Sequence, residues 1–241
     1  MTANIRGPRV LKGALVSVEN GSMSGTVIPF QYNPNTVKRS LKPSMAGGES
    51  GDRSQIVRIT GAPPETISLE IELDAADALD RGDSTAEAVG LYPQLAMLEL
   101  LVFPKSSHIT SLQTQASAGV LEIAPFAAPR LLFVWGNQRV QPVQIESYSI
   151  SEEEFDASLN PIRATVSLEL RVLSYSDLSS SNADYHQYLS YQQNLEALAQ
   201  RAGTVPMTSL GNVSISAAPD SAADMAVDGV DSIASIANSI L

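Results

Sequence analysis

This 241-residue chain has no cysteine, two histidines and one tryptophan, and only 5% of its residues are aromatic. Without cysteine there is no disulfide, no thiolate nucleophile and no thiolate metal ligand. His108 and His186 stand far apart, and neither has a second histidine four residues away with a nearby glutamate, the spacing of a helical metal site. Positive charge is scarce too. Fifteen Lys and Arg stand against 26 Asp and Glu, a formal charge of −11, which argues against a general nucleic-acid binder because phosphate neutralisation needs clustered cations. No segment approaches the ~20 apolar residues that a membrane span requires, and the apolar run near the N-terminus is too short for a signal-peptide core. The expectation is a soluble chain, made and assembled in the cytoplasm, with the sequons at Asn20 and Asn212 as chance matches.

Catalytic signatures are missing as well. The nearest text to a nucleophile elbow, Gly21-Ser22-Met23-Ser24-Gly25, places Met where the motif needs Ser. Gly47-Gly48-Glu49-Ser50-Gly51 lacks the lysine and spacing of a phosphate-cradling loop. Asp74, Asp77, Asp80 and Asp83 recur every third residue, whereas calcium-loop ligands alternate and end in a bidentate glutamate. Glu152, Glu153, Glu154 and Asp156 form the densest acidic run, but neighbours on an exposed turn repel one another and stay solvated, unlike a paired catalytic dyad. The sequence therefore predicts no enzyme, no cofactor and no metal.

What is present is sheet-forming pattern. Hydrophobic residues make up 44% of the chain and charged residues 17%, a balance that suits a folded protein with much of its surface covered by neighbours. Leu131 to Trp135, Pro142 to Ile150 and Ile162 to Val172 read as three strands, joined by turns at Gly136-Asn137 and Asn160-Pro161. In the last, Ala164, Val166, Leu168, Leu170 and Val172 share one face. Ile67, Leu69, Ile71 and Leu73 alternate in the same way. Leu11 to Val18 and Thr26 to Tyr32 predict two earlier strands, and Ser40 to Ser54, returning at Gln55 to Thr60, an extended hairpin arm. Leu91, Leu95, Leu98 and Val102 predict one amphipathic helix over 86–102. Lys105 to Ala118 reads as a polar linker and Gly119 to Ile123 as a short strand. Trp135 is expected to anchor the core.

After Tyr175 the pattern changes. Tyr188, Tyr191, Leu195, Leu198 and Ala202 predict a helix ending at Gly203, and Ala226, Val230, Ile233, Ala237 and Ile240 form a second apolar stripe that must bury against its own domain or a partner. The predicted organisation is a β domain over 1–175 and a linker with helical extension over 176–241.

Charge is unevenly spread. Residues 1–60 carry about +5 by count, the remainder about −16. A basic set, Lys38, Arg39 and Lys42, and the acidic set Glu152, Glu153, Glu154 and Asp156 are the expected interaction residues, pairing within a subunit or between neighbours in a head-to-tail ring. Val230, Ile233 and Ile240 are the expected apolar contacts of the tail.

The ordered segments FQYNPNTVKRSLKP (Phe30 to Pro43), GAPPETISLEIELDA (Gly61 to Ala75), PRLLFVWG and NPIRATVSLELR resemble the tube-type domain of contractile injection systems, in particular the adaptors between spike and inner tube. The likeness spans Lys12 to Tyr175. It implies a mainly β fold: a tail-tube-like antiparallel barrel or sandwich with one crossing helix and a hairpin arm, followed by a helical tail. It implies a structural baseplate component of a phage-tail-like particle that forms a homo-oligomeric ring, a hexamer, and contacts the spike, the inner tube and other baseplate proteins. Related adaptors often end in a LysM module, and no such pattern occurs here. The rival expectations are an inner tube subunit and, in another class, a β-barrel ligand-binding module with a pocket lined by Trp135.

Overall fold

The computed structural model describes residues 11–18, 25–46, 58–117 and 129–203. Seven strands form one antiparallel sheet: β1 (Ala14–Val18), β2 (Gly25–Pro29), β3 (Val37–Leu41), β6 (Glu65–Asp74), β7 (Arg130–Trp135), β8 (Arg139–Phe155) and β9 (Pro161–Val172). Their order is β2-β1-β7-β8-β9-β6-β3. A separate two-stranded ladder joins β4 (Met45–Ala46) to β5 (Arg58–Ile59). The protein is mainly β, as the alternation requires.

Strands β6 and β9 pair over ten residues, from Glu65↔Val172 to Asp74↔Arg163. Their period-2 pattern puts Ile67, Leu69, Ile71, Ala164, Val166, Leu168 and Leu170 in the core and Glu70, Glu72 and Glu169 in water. Strand β8 runs five residues beyond its predicted end. A bulge between Ile145 and Ser147 shifts the alternation by one residue, and Tyr148 and Ile150 resume it; past Ile150, Ser151 to Glu154 are polar and exposed on both faces, so no apolar pattern marks the ladder that continues to Phe155. The acidic run Glu152 to Glu154 therefore belongs to the strand, and the turn is 156–160.

The sheet is not closed into a barrel by backbone pairing; among the described residues β2 and β3 are its edges. A side chain bridges the gap instead. The Gln31 amide, just past β2, donates through Nε2 to the Asp74 carbonyl at 2.6 Å and accepts from the Asp74 N–H at 3.0 Å. It imitates a ladder rung between β2's end and β6's end. Accordingly Ile28 and Phe30 share one core with Ile71 and Leu73.

The helix predicted over 86–102 is two, α2 (Ser84–Val89) and α3 (Tyr92–Glu99), with a short α1 (Ala76–Asp80) ahead of it. Gly90 breaks it at φ +56°, and Gly82, at +68°, separates α1 from α2. Asp83 caps α2 by accepting from Thr85 and Ala86. Leu91, Leu95 and Leu98 are buried as the spacing demands. Val102 is exposed and Leu101 buried in its place, because α3 ends at Glu99 and the helical phase is lost. Residues 106–117 form a helix, α4 (Ser106–Ser117), rather than a linker; it buries no residue, and Thr110, Ser111, Thr114 and Ser117 back-bond to preceding carbonyls.

The arm appears as one hairpin with a dislocation. Val37 to Leu41 face Leu69 to Glu65, while Met45 and Ala46 face Ile59 and Arg58, a register offset by two residues. Gly61, Pro63 and Pro64 sit at that offset, where proline removes ladder donors. The predicted arm tip, the strand at 119–123 and the stripe Val230, Ile233 and Ile240 lie outside the described residues.

The predicted helix after residue 182 is α5 (Ala183–Arg201), with Gly203 following at φ +73°. The chain divides into two compact units, 1–198 and 199–241. Within the first, Tyr188 packs on the core and Tyr191 is buried. Trp135 is half-buried, stacks on Phe133 at 6.0 Å between ring centres, and covers Gly13 so closely that a Cβ there would lie 2.7 Å from its ring.

Candidate functional site

The structure separates the expected interaction residues into those already engaged and those left open. Arg39 is engaged. On β3 it faces the core side, and its guanidinium binds Glu65 at 2.6 Å and the Tyr191 hydroxyl at 2.9 Å. Glu65 is 5% exposed and also accepts from Gln141 at 3.2 Å. The hydrogen bond to Glu65 raises the Arg39 pKa against the cost of burial. This ties β3, β6, β8 and α5 together, so Arg39 holds the fold instead of a neighbour. The sequence signal for it was Glu65 itself: a carboxylate in phase with Ile67 and Leu69 must be buried, and a buried carboxylate needs a cation.

A second clamp fixes the start of α5. Arg130 grips Asp184 with both Nε, at 2.8 Å, and Nη2, and Asp184 is 3% exposed. Further along, Gln187 donates to the Val140 carbonyl and Asn194 to that of Gln138.

The acidic set also divides. Asp156 organises its own turn, accepting from the N–H groups of Ser158 and Asn160 and from the Asn160 side chain; the Asn160 bonds hold its carboxyl below the usual range. Glu154, at φ +53°, pairs with Arg163 at 2.7 Å, and Arg163 also binds Asp74. Glu152 and Glu153 remain exposed at the end of β8, and Lys38 and Lys42 remain exposed on and after β3. Among the described residues neither lysine has an ion-pair partner. The two sets do not meet within the chain.

These open charges lie on open backbone. Among the described residues strand β3 pairs only with β6. Strand β8 pairs with β7 only over Arg139 to Val143, so along Gln144 to Phe155 its only strand partner among the described residues is β9. One molecule thus carries a basic free edge and a longer acidic one.

Two hollows accompany the sheet. A polar groove of about 990 Å³ lies on the wet face of β6, β9 and β8, floored by Glu70, Glu72, Glu169, Ser147, Ser149 and Ser167 and overhung by residues 31–36. A second, of about 600 Å³, lies between the end of β2 and helices α1 to α3, with Phe30, Ile71 and Leu98 inside and Asp77, Arg81 and Asp83 among its polar lining. Trp135 lines neither of them. Among the described residues no group of three His, Asp or Glu is arranged to hold a metal ion, and no helix is long and apolar enough to cross a membrane.

No family profile matches the chain and no curated protein matches it. Among solved structures it is similar to a chain from the tail of an empty GTA particle, computed with helical refinement in C6 symmetry, at 9% identity over 67% of this chain and 90% of that one. The TM-score is 0.28, so this likeness by itself fixes neither the fold nor the role of the protein.

Proposed function

We propose that this chain is a structural, non-enzymatic subunit of a contractile, phage-tail-like injection particle, which forms a ring joining the spike to the inner tube. Two things support the reading: the ordered motifs of the sequence, and the pair of open strand edges with opposite charge. The edges carry it furthest. A free edge is a row of unpaired N–H and C=O groups that a second strand satisfies. When the two edges of one molecule differ, each copy pairs head to tail with the next, and such a heterologous contact closes into a ring if its rotation permits. Lys38 and Lys42 on one edge and Glu152 and Glu153 on the other set the partner and the register, and charge steers encounter more than it supplies affinity. Six copies is the count that the family resemblance implies. The spike, the inner tube and other baseplate proteins are the further partners of this reading, and the particle is assembled in the cytoplasm.

The test is assembly of the purified chain with its particle components, followed by native mass spectrometry and electron microscopy. Lys38→Glu with Lys42→Glu should abolish rings at low salt, and adding Glu152→Lys with Glu153→Lys should restore them. Rings unchanged by the first pair of substitutions would refute the edge pairing. A map of the assembled particle without this chain at the junction of tip and channel would refute the role.

A further inference from the structure

The hydrogen bonds of the sheet fix which backbone groups its open edges offer. In an antiparallel ladder alternate residues turn their N–H and C=O toward one neighbour, and the others turn away from it. The Lys42 N–H donates to the Pro64 carbonyl at 3.0 Å, continuing the register that pairs Val37 with Leu69. Lys42, Ser40 and Lys38 therefore turn toward β6, and Leu41, Arg39 and Val37 turn to the open side. The same alternation runs across the sheet through Ala75 N–H to the Ile162 carbonyl, at 2.8 Å, and Leu173 N–H to the Pro142 carbonyl, at 2.9 Å. Odd-numbered residues of β9 thus turn toward β8. Beyond the bulge they oppose Ser147, Ser149, Ser151 and Glu153, which leaves Tyr148, Ile150 and Glu152 to offer their backbone on the open side of β8.

The two outward-turned sets lie on the same face of the sheet. Leu41, Arg39 and Val37 oppose the buried Glu65, Ile67 and Leu69, and Tyr148, Ile150 and Glu152 oppose the buried Leu168, Val166 and Ala164. That match decides how two copies can join. An antiparallel junction sets one outward-turned residue opposite another, so core face continues into core face. A parallel junction sets it beside a residue turned inward, which would bring the core face of one copy level with the wet face of the other.

We propose, resting on the ring reading above, that β3 of one copy pairs antiparallel with β8 of a second copy in one register: Leu41 opposite Ile150, Ser40 opposite Ser151, Arg39 opposite Glu152 and Lys38 opposite Glu153. Within one copy β8 and β3 already run in opposite directions, because every step from β8 through β9 and β6 to β3 is antiparallel. The second copy is therefore reached by a rotation about an axis along the strands, the operation that closes a ring. Side chains select the register. Leu41, 47% exposed, covers the half-buried Ile150, and two cations meet two carboxylates, both favourable cross-strand pairs. Glu153 is free for this use, since Arg163, opposite it on β9, binds Asp74 and Glu154. Sliding by two residues one way sets Leu41 against Glu152 and Lys38 against Phe155. Sliding the other way sets Lys38 against Ser151 and Arg39 against Ile150.

The native chain has no cysteine, so introduced pairs report the junction directly. Ser40 and Ser151 would form a non-hydrogen-bonded pair with Cα atoms ~4.5 Å apart, within reach of a disulfide. In rings assembled with the particle components, Ser40→Cys with Ser151→Cys should oxidise to covalently linked subunits on a non-reducing gel. Ser40→Cys with Ser149→Cys, and Ser40→Cys with Glu153→Cys, report the two shifted registers. Per assembled ring both should link at least ~10-fold less, because diagonal Cα atoms ~7–8 Å apart exceed that reach. As a second readout, Lys38→Glu should lower the fraction of subunits in rings. Adding Glu153→Lys should restore it, and adding Glu152→Lys, opposite Arg39, should not. Rings that link best in a shifted register, or equal rescue by the two lysines, would overturn this junction and leave the ring reading standing. A native chain that forms no ring with its components would sink both.

Discussion

Tyr148 shows how a single position answers to its surroundings. It lies just past the β8 bulge, opposite Leu168, and its hydroxyl is buried without a hydrogen-bond partner among the described residues. Burial first, and then the nearby Glu99 carboxylate, pushes the phenol up to about 12, because both disfavour the anion. An unfolded tyrosine ionises near pH ~10. Between those values the unfolded state has lost a proton that the folded state keeps, so stability falls as pH rises from about 10 toward 12. Absorbance of tyrosinate at alkaline pH should show late titration among the seven tyrosines from Tyr148 and also from Tyr188, whose phenol burial likewise raises. Tyr148→Phe should remove its own share of that late titration and lessen the alkaline decline, while changing stability at pH 8 by no more than about 1 kcal/mol, since the lost hydroxyl had no partner among the described residues. A Tyr148 that titrates with the exposed tyrosines would show that its ring is not enclosed.

At the scale of elements, α5 is where packing and charge act together. Its clamps reach back to β3, β7 and β8. Losing α5 uncovers the site of Tyr191 and leaves Arg130 without Asp184, costs that sum to several kcal/mol. For a domain of this size each kcal/mol moves the midpoint by roughly 2–4 °C. A chain ending at Gly203 should therefore melt on the order of 10 °C above one ending at Tyr175, measured by circular dichroism; equal midpoints would mean that the helix only rests on the sheet. The sequence made β6, β9 and α5 legible because each has one apolar and one wet face, and periodicity reports that directly. It hid the end of β8, where Ser151 to Glu154 are polar on both faces, and α4, a polar helix that buries no residue. It showed the charges of the candidate site but not their use: Lys38 and Arg39 look alike in a string, and only the pairing of β3 with β6 sends one to water and the other to Glu65.

Over the whole molecule, the balance of charge sets how copies meet. A net −11 makes two subunits repel at long range, whereas the basic edge of one and the acidic edge of another attract at short range. Salt screens both, but not equally. The Debye length is ~30 Å at 0.01 M and ~8 Å at 0.15 M, so modest salt first removes the long-range repulsion and then, at higher concentration, the attraction between edges only a few ångströms apart. The rate of ring formation should accordingly pass through a maximum as salt rises, at an ionic strength of about 0.1 M, and then decline. Stopped-flow light scattering over 0.01 to 1 M salt measures this. In the Lys38→Glu, Lys42→Glu chain only repulsion remains between the edges, so its rate should rise monotonically with salt and stay below that of the native chain throughout. Identical salt profiles for the two chains would mean that the lysines play no part in bringing subunits together, and that lateral contact is made elsewhere on the surface.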